Sequence, residues 1–219
     1  MKKSSLFSAA VLSLGLLTAS AANATPFTIK MVADNDFAIF SGTASSINNL
    51  LYQNNVRWDQ QISALSSMTF NLSAGDNFFY VLAMGGGGQE NISGLVNGVN
   101  MTSPSVSVFE SNNIRSFLSG YNLTTVENGS YSALLANVQA AFAAGLTWTA
   151  PVVNSSDIVI QSSGFGSGFR FADSTAHLYK FTANAVNVPT TAAVAEPATI
   201  AMLGLGLFGL AAARRRKAK

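Results

Sequence analysis

Asp34 and Asp36 are the carboxylates whose spacing most invites chemistry. Two residues apart, they share one face wherever the chain is extended, with Asn35 pointing away. A pair of this kind serves turn chemistry through local hydrogen bonds, supplies oxygen ligands to calcium, or acts as the two carboxyls of a glycosidase. An EF-hand is excluded, because no glycine and bidentate glutamate follow at the spacing of that loop. Among ligand readings, a structural calcium at Asp34 and Asp36 is the sharpest, and no other cofactor is expected.

Sugar binding needs aromatic faces beside planar polar side chains. Trp58, Asp59, Gln60 and Gln61, with Tyr52 and Asn54 just before them, form the best such cluster, and Trp148 is a second aromatic candidate. The same residues also suit a core tryptophan beside a polar loop, and both readings stay open. The single histidine, His177, has no second histidine to share a metal and reads as a structural or surface residue. Gly164 to Gly168 lacks the Gly-x-Ser-x-Gly spacing of a nucleophile elbow. Gly85 to Gly88 lacks the Lys-Ser/Thr that follows a phosphate loop, and reads as a flexible connection after a strand. There is no cysteine, which removes thiol catalysis, disulfides and cysteine metal sites together. With no recognisable catalytic motif, the chain is expected not to be an enzyme; a carbohydrate-active enzyme using paired carboxylates is the competing class.

The elements that must position these residues read as mainly β. Short apolar alternations separated by Ser, Asn, Thr and Gly clusters predict strands at 27–32, 36–40, 68–72, 78–84, 105–109, 157–161 and 177–182. Ser73 to Asn77 carries hairpin-turn chemistry between two of them. Many strands at this spacing predict a β-sandwich or a barrel. One segment differs: Tyr131, Leu134, Leu135, Val138 and Phe142 recur at helical spacing, with Ser130 to cap and Gly145 to end a helix over 130–145 packed on the sandwich.

The two ends are addresses. Lys2 and Lys3 precede an apolar stretch from Leu6 to Leu17, and Ala22-Asn23-Ala24 offers a small-x-small cleavage site, so 1–24 reads as a signal peptide removed by signal peptidase. A sandwich domain over 25–183 and a small, polar linker over 184–195 follow. Between residues 25 and 195 five cations face nine acids, a net of −4, whereas the whole chain carries +2. The positive charge belongs to the ends, and a nucleic-acid partner loses its electrostatic basis. From Ala198 to Ala213 an apolar, glycine-studded run precedes Arg214, Arg215, Arg216 and Lys217. As a helix it reaches roughly 24 Å, short of the ~30 Å hydrocarbon core, and its cations stay on the cytoplasmic side. The body is thereby held outside the cytoplasm, tethered by its C-terminus.

Val194-Ala195-Glu196-Pro197-Ala198-Thr199, the apolar run and the arginine cluster together resemble the PEP-CTERM sorting signal of Gram-negative bacteria, with Ala195 where that pattern has its first proline. The resemblance implies that 196–219 is a sorting segment, that Glu196, Pro197 and Arg214 to Arg216 carry the signal, and that an exosortase processes the chain. It further implies transient anchoring at the inner membrane and then a cell-surface or extracellular destination, in an organism that makes exopolysaccharide. A looser likeness covers Val32 to Gly98, which is similar to galactose-binding-like jelly rolls through Ala33 to Phe40, Trp58 and Phe70 to Met84. The function these features imply is a surface or exopolysaccharide-matrix protein with a binding or structural role, with an adhesin-like protein binding another surface protein as a further alternative.

Overall fold

In chain order the strands are β1 (Pro26–Asp34), β2 (Asp36–Thr43), β3 (Ser46–Gln53), β4 (Met68–Asn71), β5 (Phe78–Met84), β6 (Glu90–Val96), β7 (Val99–Asn100), β8 (Val108–Ser111), β9 (Trp148–Thr149), β10 (Val152–Asn154), β11 (Gly168–Phe171) and β12 (Ala176–Thr182). Three short helices accompany them: α1 (Leu123–Asn128), α2 (Leu134–Ala143) and α3 (Ile158–Ser163). These come from a computed structural model that describes residues 26–182 apart from 89, 129, 130 and 157, all within one compact unit. The expected signal peptide, the linker and the apolar C-terminal run lie outside the described residues, as does the capping Ser130.

The strands make two antiparallel sheets. Sheet A runs β10-β11-β6-β1-β4, with β7 paired to β6; sheet B runs β3-β2-β5-β12-β8-β9. Period-2 alternation in β5 shows how they stack. Phe79, Val81 and Ala83 point into the core between the sheets, meeting Phe27, Ile29, Met31 and Ile92 of sheet A. Phe79 stacks on Phe27 at 4.8 Å and on Phe181 at 4.6 Å between centroids. The alternate residues Tyr80, Leu82 and Met84 face the other way, beneath Leu134, Val138 and Ala141 of α2. Sheet B is therefore covered on both faces, which is why β5 reads as an almost unbroken apolar run.

Three expectations need correcting. The helix expected over 130–145 begins at Leu134, preceded by Ala133 in the left-handed region (φ 53°), and Tyr131 is buried ahead of it rather than within it. Gly145 does follow its end at φ 91°. The strand expected over 157–161 is instead helix α3, lying against β6 and β1. A short β-branched run is the same pattern in a buried strand and a short helix, so packing decides. Ser73 to Asn77 is not a hairpin turn, because β4 pairs with β1 in sheet A while β5 lies in sheet B. Gly75 takes φ 92° there, and the turn carries the chain between sheets. Asp76 ties it down, its carboxylate accepting from Ser41 Oγ (2.6 Å) and Asn48 Nδ2 (2.6 Å).

Candidate functional site

Strand register brings three sheet-to-sheet crossings to one end of the sandwich. Asp34 pairs with Asn91, Asp36 and Ala176 with Met84, and Phe171 with Glu90. The crossings at Asn35, at 85–88 and at 172–175 are thus neighbours. Hydrogen bonds knit them: Asn35 N donates to Met84 O (3.0 Å), Gly85 N to Thr175 O (2.9 Å), and Gly86 N to Asn35 Oδ1 (2.5 Å). Tyr121 donates its hydroxyl toward Gly85 O and Thr175 O, and Gly87 N donates to Glu90 Oε1 (2.7 Å). The Gly85–Gly88 connection, expected to be flexible, is pinned at each of its first three residues.

Two carboxyls are buried at this end. Asp36 Oδ1 accepts from Phe37 N (2.7 Å) and Asn54 Nδ2 (2.7 Å), while Oδ2 has no partner. Burial pushes its pKa up to about 8, against the lowering effect of those two bonds. Glu90 is fully buried, with Oε2 unpartnered, and burial raises it to about 7. The Gly87 amide opposes that rise, and the charges of Asp34 and Asp173 add to it. Glu90 carried no sequence motif; a lone acid opening an apolar strand after four glycines was its only signal.

The structure separates the expected pair. Asp34 ends β1 in sheet A and Asp36 opens β2 in sheet B, because the chain bends between sheets at Asn35 instead of running on extended. Asp36 is 1% exposed and offers no surface to a substrate. Among the described residues no three His, Asp or Glu side chains are placed to hold a metal ion.

The aromatic cluster divides as well. Trp58, Asp59 and Gln60 form a short 3₁₀ turn in which Asp59 pairs with Arg57 (3.4 Å) on the surface. Tyr52 is half-buried and packs against Phe37 and Phe70 at the margin of the core. Gln61 turns inward, accepting from Ala33 N (2.9 Å) and donating to Asn35 O (2.7 Å), so the turn buttresses the crossing at Asn35. Tyr52, Asn54 and Gln61 line a cavity of only about 30 Å³, enough for a water or two rather than a sugar. Trp148 lies over Lys180, whose ammonium is 4.3 Å from the indole centroid. His177 is structural in its contacts: Nδ1 lies 2.9 Å from Ser111 O and 3.1 Å from Glu110 Oε1, and Nε2 lies 3.0 Å from Thr175 Oγ1.

An open groove of about 620 Å³ lies where the β10–β11 margin of sheet A meets β8 of sheet B. Glu110, Val152, Arg170, Phe171 and Asp173 line it, with Gly88 at the crossing loop. None of these was a candidate from sequence. Arg170 between Phe169 and Phe171 carries the alternation of a half-buried strand, but the meeting of four segments is a long-range property.

Beyond the sandwich, the C-terminal order of Glu196-Pro197, apolar run and arginine cluster decides the sorting question. Residues 193–217 match the PEP-CTERM protein-sorting motif. The motif implies a secreted protein whose sorting partner is an exosortase, anchored transiently in the membrane before it reaches the surface. The PEP-CTERM match covers the C-terminal segment alone. No curated protein and no solved structure matches the chain, so the jelly-roll likeness gains no support from a structural neighbour.

Proposed function

We propose that this protein is a surface or exopolysaccharide-matrix component that acts by binding or by its structure, with carbohydrate as the ligand class. The observation that carries the proposal is the PEP-CTERM motif on a β-sandwich whose buried acids accept hydrogen bonds from neighbouring backbone and side-chain groups. Pinned crossings and two-sided covering of sheet B make a rigid, disulfide-free body suited to an extracellular matrix. The enzyme alternative is less favoured, because its candidate pair is split between sheets and Asp36 is buried. A calcium ion held in part by Asp34 remains a proposal, tested by whether added calcium raises the melting temperature.

The deciding experiment fractionates the native host into membrane, extracellular matrix and medium. Recovery of the protein with matrix polysaccharide, and its release when that polysaccharide is digested, supports the proposal. Recovery that persists after digestion, through contact with an envelope protein, selects the adhesin-like alternative instead.

A further inference from the structure

The groove beside β11 has unsatisfied groups of both hydrogen-bonding senses around an apolar wall. Glu110 is 8% exposed and held from behind: its Oε1 is 3.1 Å from His177 Nδ1 and accepts from Tyr179 OH at 3.3 Å. His177 is in turn fixed by Ser111 O and Thr175 Oγ1. The other carboxylate oxygen of Glu110 bonds to no described residue and is not buried, so it is open to the groove that the residue lines. Arg170 is exposed, and its guanidinium makes no hydrogen bond or ion pair with any described residue. Asp173 is exposed and holds Ser174 Oγ at 2.9 Å. Val152, 62% exposed, is the apolar wall beside its cross-strand partner Arg170, and the buried Phe171 packs against the His177 ring at 5.9 Å.

We infer that this groove binds the hydroxyl groups of a neutral saccharide. A sugar hydroxyl is donor and acceptor at once, so separate hydroxyls of a saccharide lying along the groove match a carboxylate that only accepts and a guanidinium that only donates. Val152 suits the C–H face of the ring. Glu110 and Asp173 outweigh Arg170 in charge, so a polyanionic chain meets net repulsion here. The oriented Glu110 supplies preorganisation, since its rotamer is fixed before any ligand arrives. The inference rests on the carbohydrate reading above and places the site in the groove rather than at Trp58.

The test measures binding of the exported protein, purified from its host, to immobilised glucose, galactose and mannose oligosaccharides and to polygalacturonate. Wild type, Arg170→Ala, Glu110→Gln and Trp58→Ala are compared, with circular dichroism confirming that each is folded. The expected result is retention on at least one neutral oligosaccharide, about tenfold weaker in both groove variants and unchanged in Trp58→Ala. Arg170 is exposed, so its variant reports on binding even where Glu110→Gln disturbs the His177 contact. Full retention by both groove variants overturns the site but leaves the carbohydrate reading standing. Preference for polygalacturonate overturns the ligand class. A folded wild type that retains no saccharide removes both this inference and the carbohydrate reading beneath it.

Discussion

At the scale of single residues, the most consequential groups are the two buried carboxyls. Asp36 and Glu90 rise from their ordinary values of 3.8 and 4.5 to about 8 and about 7. A raised carboxyl binds its proton more tightly in the folded state than in the unfolded one. Its contribution is complete below the unfolded pKa and is lost as pH climbs through the folded value. The two groups therefore predict a melting temperature that declines between about pH 4 and about pH 8 and then levels off. Asp36→Asn keeps the acceptor for Phe37 N and Asn54 Nδ2 but cannot ionise, so it is expected to flatten part of that decline. Thermal melts of wild type and variant across this range check it; parallel curves would show that Asp36 does not titrate there.

At the scale of elements, the crossings and the central strand make separate demands. A Cβ on Gly86 would lie 2.6 Å from both Asn35 Oδ1 and Leu123 Cδ1, so Gly86→Ala must push Asn35 away and weaken the bond from Gly86 N. The expected cost is about 1–3 kcal/mol, read by chemical denaturation. Phe79→Ala removes a ring stacked on both Phe27 and Phe181 and should cost about 3–5 kcal/mol. If Phe79→Ala proves the milder change, the core tolerates collapse where the crossing does not. What sequence makes legible here follows the range of the forces. Strands β1, β2, β5 and β12 declare themselves through alternation or apolar runs, which are local signals. The 158–163 helix, the inter-sheet turn at 73–77 and the split of Asp34 from Asp36 depend on which sheet each strand joins, and no local spacing encodes that. The groove is less legible still: Gly88, Glu110, Val152 and Arg170 are far apart in the chain and meet only because β6, β8, β10 and β11 reach one margin.

At the scale of the whole molecule, charge is divided between parts with different fates. The body between residues 25 and 195 carries −4, while the full chain carries +2, the difference lying in Lys2, Lys3, Glu196 and the cluster from Arg214 to Lys219. The cations near a membrane-anchored C-terminus belong beside the anionic inner leaflet, and once they are gone the acidic body is repelled by anionic surfaces such as that leaflet. Loss of both ends should therefore reverse the sign of the net charge as well as reduce the mass. On ion exchange at pH 7 and low salt, the extracellular form is expected to bind an anion exchanger, and the unprocessed chain in detergent a cation exchanger, with intact mass identifying each. An extracellular form that has lost residues 1–24 but keeps Arg214 to Lys219 has a net charge of 0, so weak retention on the anion exchanger with an intact mass that includes those residues would mean the basic tail is kept. Removal at the PEP-CTERM segment would then not be the step that releases the protein.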